Sequence, residues 1–163
     1  KESKGLSIVH ASWIVAAFEI AGIVGMVAAG WATDRFFGGR GPRTCVVCMT
    51  MTALFVFLFW WLPSPPIWLA TALLMGAGFF IYGPQALIGI AAANLATKRA
   101  AATASGFTGI FGYLSTIVSG WGLGWIAHHH GWNAVLVTML GAAGVGWLMF
   151  ACIWREKPHG YDT

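Results

Sequence analysis

Charge is what this chain has least of. Of its 163 residues, 9% are Asp, Glu, Lys or Arg, and only 5 of them are acids. An ordinary soluble domain is roughly a quarter charged. So small a polar supply cannot cover a compact fold of this size, which argues against a soluble enzyme, a nucleic-acid module or a disordered tail. Cysteine is scarce as well. Cys45, Cys48 and Cys152 lie in or beside apolar runs, which argues against a secreted disulfide framework. The sequence contains no Walker-type phosphate loop, no HExxH and no nucleophile triad, so nothing marks a primary pump or an intramembrane hydrolase. A signal peptide and an initiator Met are also missing, and the abrupt start at Lys1 leads us to expect a fragment of a longer protein.

What is present is apolar. Hydrophobic residues make up 58% of the chain, and the mean hydropathy is +0.74. Five runs approach or exceed the roughly 18 residues that mark a bilayer-spanning helix. They cover residues 12–32, 44–62, 67–93, 103–127 and 134–154. None shows the alternation of a transmembrane strand, so the expected fold is an all-α membrane protein of five helices. The connections are short, with turn-formers at Gly38-Gly39-Arg40-Gly41-Pro42 and Pro63-Ser64-Pro65-Pro66.

The net charge is +4, and the positive residues sit between apolar runs, where topology explains them better than nucleic acid does. Arg35, Arg40, Arg43, Lys98, Arg99, Arg155 and Lys157 fall on one side of a five-span layout, and Lys1 and Lys4 on the other. The positive-inside rule then puts the C-terminus in the cytoplasm and Lys1 outside. Small residues recur four apart at Ala21, Gly25 and Ala29, at Ala102 and Gly106, at Ser115 and Ser119, and at Gly120 and Gly124. That spacing lets helix backbones approach closely in lipid. Trp13, Trp31, Trp60, Trp61, Trp68, Trp132 and Trp154 stand near span ends, as interfacial anchors do.

A few residues in the spans carry chemistry. Glu19 is the only charge in the first run before Asp34. A carboxylate at that depth costs several kcal/mol unless it is paired, protonated or facing water. No Arg or Lys of the chain sits at a matching depth. Glu19 therefore faces a cavity, bonds a neighbouring helix in protonated form, or meets a partner outside this chain. Tyr82-Gly83-Pro84-Gln85 interrupts the third run; Pro84 is expected to kink the helix and release a carbonyl near Phe80, with Tyr82 and Gln85 as polar handles. The fourth run carries Gly106, Gly109 and Gly112 at three-residue spacing and Tyr113 beside them. Its glycine face packs another helix or slides against one. His128-His129-His130 reads as an exposed outer loop, not a metal site, because adjacent residues do not converge on one ion. Cys45-x-x-Cys48 has no redox context. No metal or cofactor is expected.

Gly30-Trp31-Ala32-Thr33-Asp34-Arg35, followed by Gly39-Arg40, resembles the loop motif of the major facilitator superfamily. In that superfamily the motif joins the second and third helices of each six-helix half, and its glycine lets helix ends pack closely. The stretches 79–89, 104–114 and 19–25 resemble the organophosphate:phosphate antiporter family, which includes glycerol-3-phosphate and hexose-6-phosphate carriers and sugar-phosphate sensors. The resemblance implies that the five spans are helices eight to twelve of a twelve-helix carrier, so residues 1–163 are a partial C-terminal half. It implies that Glu19, Tyr82, Gln85 and Tyr113 face the central cavity, with Pro84 at the kink, and that Gly30, Asp34, Arg35 and Arg40 belong to the cytoplasmic loop motif. The family's phosphate-binding arginines lie in helices one and seven, outside this chain. The implied function is exchange of a hexose 6-phosphate or glycerol 3-phosphate for inorganic phosphate by alternating access. The expected partners are that substrate, phosphate, the lipid bilayer and the missing N-terminal helices, and the expected location is a bacterial inner membrane. Two other readings remain: a transport-poor sugar-phosphate sensor that reports to a membrane kinase, and an inactive truncated gene product.

Overall fold

The computed structural model describes residues 8–62, 65–96 and 100–155. These are all helical apart from short connections. The helices are α1 (Ile8–Phe37), α2 (Gly41–Trp61), α3 (Ile67–Leu95) and α4 (Ala101–Cys152). Each contains a stretch long and apolar enough to cross a membrane.

The expected five helices are therefore four. The fourth and fifth runs fall within α4, an element of 52 residues. Instead of a loop, one residue separates its two parts: Gly131, with φ 78° and ψ 174°. That backbone is open to glycine and strained for other residues. The two ends of α4 lie at the same end of the molecule. Near its start, the Ser105 hydroxyl would lie 3.9 Å from a Cβ built on Gly89 of α3. At the far end, the Trp154 carbonyl accepts from Arg43 Nε at 3.4 Å, beside the first turn of α2. A straight helix of this length would run about 78 Å, so α4 changes direction at Gly131.

α1 also departs from expectation. It does not stop at Ala32 but continues through Asp34 and Arg35 to Phe37. Charge ends an apolar run without ending a helix, and an Arg in the last turn suits the helix dipole. The chain then turns through Gly38 and Gly39, with φ 57° and 77°, and α2 begins with Pro42 in its first turn. Pro84 lies inside α3, which continues as one helix through it; the proline cannot donate to the Phe80 carbonyl.

Packing is concentrated between α1 and α3. Ala21, Gly25 and Ala29 are all buried, as their four-residue spacing predicts. A Cβ on Gly25 would overlap the Phe79 carbonyl, and one on Gly78 would lie 2.7 Å from the Phe18 carbonyl oxygen. Gly83 meets the Ala29 Cβ on one side and the Cys48 thiol on the other. Around this contact Ala29, Cys45, Cys48 and Leu87 form a buried cluster, capped by Phe80 and Phe150. α4 joins it through Phe150 and through Trp147, whose Nε1 donates to Thr50 Oγ1 at 3.0 Å. The small-residue pairs of α4 behave differently: Ala102, Gly106, Ser115, Ser119, Gly120 and Gly124 are all exposed. The seven tryptophans expected at span ends are exposed too.

Candidate functional site

The structure brings two of the expected site residues together across the α1–α3 contact. Tyr82 Oη donates to Glu19 Oε2. The ring of Tyr82 is held for this purpose. Gly22, one turn past Glu19, leaves room for it, since a Cβ there would lie 2.6 Å from the ring. The Phe18 ring packs edge-on at 6.0 Å between centroids. Ring and hydroxyl are thus aimed by neighbours on α1, and the carboxylate within the apolar span has a charge-assisted hydrogen bond. This partner lies within the chain, on α3.

Gln85 follows Tyr82 by three positions on α3, and so lies on the same side of the helix. It is exposed, whereas Gly83 and Pro84 between them are buried, Gly83 against Ala29 of α1 and Cys48 of α2. The α3 segment therefore has a packed side and an open side, with Tyr82 and Gln85 on the open one. Tyr113 is not gathered into this group. It is 79% exposed, and α4 packs against α2 and α3 but not α1.

The loop motif divides between two helices and a turn. Asp34 and Arg35 are exposed in the last turn of α1, and Arg40 caps the start of α2. Gly30 has open space where a close contact was expected; the tight glycines of α1 are Gly22 and Gly25. The motif's buried contact comes from a residue that sequence reasoning passed over. Thr33 Oγ1 lies 2.7 Å from the Ala29 carbonyl oxygen and 2.8 Å from Thr44 Oγ1. A carbonyl only accepts, so Thr33 donates to Ala29 and takes its second bond from Thr44. Two hydroxyls flanking a Gly-Gly turn were the signal for this tie. Arg43 was counted only as a topology charge; its guanidinium also stands 5.4 Å over the Trp154 ring.

His128, His129 and His130 lie in α4 and not in a loop, with His129 Nδ1 2.9 Å from the Trp125 carbonyl oxygen. Cys45 and Cys48 are free, buried thiols of the core. Lys1, Lys4, Lys98, Arg99 and Lys157, which entered the charge count, lie outside the described residues.

The sequence pattern of the major facilitator superfamily matches residues 1–162. The chain is 42% identical over 161 residues to the "Probable hexose phosphate transport protein" of Chlamydia muridarum, covering 97% of this chain and 35% of that protein. It is 36% identical to the "Membrane sensor protein UhpC" of Salmonella typhimurium, covering 91% of this chain and 34% of that one. It is 34% identical to the "Glycerol-3-phosphate transporter" of Haemophilus influenzae, covering 96% and 36%. The chain thus spans about a third of the length of the relatives it matches. No solved structure matches it. These relatives are transporters of hexose phosphate and glycerol 3-phosphate and a membrane sensor, not enzymes, which matches the resemblance to the organophosphate:phosphate antiporter branch. Apolar throughout and matched over almost its whole length, this integral membrane chain belongs to the major facilitator superfamily.

Proposed function

We propose that the chain is the C-terminal part of a secondary carrier, supplying helices eight to twelve of a twelve-helix fold. The whole protein exchanges a hexose 6-phosphate or glycerol 3-phosphate for inorganic phosphate. In this reading α4 crosses the bilayer twice, and its change of direction at Gly131 supports that. The end that carries Asp34, Arg35, Arg40, Arg43 and Arg155 is cytoplasmic, as the positive-inside rule requires, in a bacterial inner membrane.

The observation that carries the proposal is the Tyr82–Glu19 hydrogen bond on the open side of α3. A phenol held beside a carboxylate has a choice of acceptors. With the site empty, Tyr82 donates to Glu19. When a phosphate ester enters, its oxygens compete for the same proton, and Gln85 offers amide donors one turn further along. Glu19, released, is free to pair with a basic group of another segment of the protein. No Lys or Arg lies between Arg43 and Lys98 or between Arg99 and Arg155, so the positive charge that clamps the phosphate comes from helices outside this chain. Rocking of the two halves around that shared site moves the ester across.

The test is exchange. Vesicles bearing the complete protein and loaded with labelled phosphate should release label when hexose 6-phosphate or glycerol 3-phosphate is added outside. Retention of the label against every phosphate ester tried contradicts the carrier reading. The similarity to a membrane sensor protein supports a second reading, in which the same fold binds external sugar phosphate and reports to a membrane kinase. Ester binding without label release is the outcome that favours it.

A further inference from the structure

The end of the molecule opposite the Pro-rich turn gathers positive charge and flat aromatic rings. Arg35 closes α1, Arg40 and Arg43 open α2, and Arg155 follows α4. The Thr33–Thr44 tie fixes the first two helices to each other, and the Arg43–Trp154 contact fixes the end of α4 to α2. All four arginines therefore belong to one rim. One acid, Asp34, stands at this end among the described residues. Among the described residues, Arg35, Arg40 and Arg155 make no ion pair, ring contact or side-chain hydrogen bond. The rim also has interfacial aromatics. Trp31 is 61% exposed and Phe36 67%, and their rings pack edge to face at 5.4 Å. Trp154 lies under the Arg43 guanidinium.

Positive-inside topology accounts for the sign of this charge but not for its arrangement. Topology needs only a count of basic residues near span ends. Here arginines at the ends of three helices share one rim with exposed tryptophans of the kind that mark the hydrocarbon boundary, and three of them, Arg35, Arg40 and Arg155, have no partner among the described residues. A guanidinium fork matches phosphate geometry, and anionic headgroups attract basic residues at the membrane surface. We infer that the rim of Arg35, Arg40, Arg43 and Arg155 binds the headgroup of an acidic phospholipid, whose chains lie along Trp31 and Phe36. The surface points to a lipid in preference to free phosphate because its apolar rings continue directly from the charged groups.

The inference does not depend on transport. It is tested with the full-length protein in phosphatidylcholine vesicles containing spin-labelled phosphatidylglycerol or, separately, spin-labelled phosphatidylcholine. Spin resonance reads the fraction of each lipid held at the protein surface. The expected result is preferential retention of phosphatidylglycerol. It should fall about 25-fold in an Arg40→Gln/Arg155→Gln double variant, at about fivefold per arginine near the surface. The Arg40→Lys/Arg155→Lys variant keeps the charge and should keep most of the preference. Equal retention of the two lipids by the native protein overturns the inference, as does a preference that survives in the glutamine variant. If inorganic phosphate abolishes the preference while sulfate at the same ionic strength does not, the rim is a site for soluble phosphate and the lipid assignment is wrong. If the lysine variant loses the preference as completely as the glutamine variant, charge is not what holds the lipid, and the inference also fails.

Discussion

The α1–α3 contact and the first part of α4 are built from the same small residues and put them to opposite uses. In α1 and α3, Gly22, Gly25 and Gly78 each touch a backbone or ring that an added methyl group would strike, and Gly83 meets the Ala29 and Cys48 side chains. In α4, Gly106, Gly109, Gly112, Gly120 and Gly124 meet nothing within 4 Å. The hydroxyls of that part also turn inward: Thr108, Ser115, Thr116 and Ser119 donate to carbonyls of their own helix. A small residue thus reports that close approach is permitted, and only the partner decides whether it occurs. The Glu19–Tyr82 pair sits at the open edge of the packed interface, where Gly22 and Phe18 aim the hydroxyl at the carboxylate. Tyr113 sits on the open helix and has nothing comparable.

The sharpest way to break this contrast is Gly25→Leu. The new side chain meets the Phe79 carbonyl, which cannot move without moving α3. A loss of about 3 kcal/mol or more is expected, read as a large drop in the thermal midpoint of the purified protein. Gly131→Val comes next. It forces a β-branched residue into φ 78°, ψ 174°, and about 2 kcal/mol of destabilisation should follow. An unchanged midpoint would show that the two parts of α4 do not need this turn. Thr33→Val removes a buried donor and leaves Thr44 without its acceptor. About 1 kcal/mol should be lost, with Thr44→Val giving a similar value and the double variant less than the sum. The smallest effect belongs to α4. Gly109→Ala adds a methyl group in open space and should leave the midpoint unchanged or raise it, by up to about 1 kcal/mol. A clear loss would mean that another part of the protein packs there.

The sequence made the packed interface legible. Ala21, Gly25 and Ala29 stand four apart on a helix, and all are buried. Glu19 and Tyr82 stood out singly, as polar groups with few companions at their depth, and they turn out to be each other's partner. Their pairing was hidden because it depends on the register of α1 against α3, set by Gly22 and Phe18, and periodicity does not reveal register. The ends of α1 and α4 were misjudged for a simpler reason. Asp34 and Arg35 are polar but compatible with a helix, so hydropathy ended the span before the backbone did. At His128–Gly131 the polar stretch suggested a loop, whereas one glycine suffices for the change of direction. Pro84 stands inside α3, which continues as one helix through it, and Gly83 beside it packs closely on Ala29 and Cys48. Among the described residues nothing meets Gly30 within 4 Å, and α1 meets α3 through Gly25 and Ala29.

The central claim is that the open side of α3 beside the Glu19–Tyr82 pair faces a water-filled path that a phosphate ester occupies. Gln85 is exposed on that side, Cys45 and Cys48 are buried, and Cys152 is the exposed native thiol. The most direct measurement is therefore the reactivity of Gln85→Cys, in the complete protein with Cys152→Ser, towards a membrane-impermeant thiol reagent. The account predicts modification in membranes that slows strongly when glucose 6-phosphate or glycerol 3-phosphate is present. A thiol that never reacts, or one that reacts at the same rate with and without the esters, would contradict it.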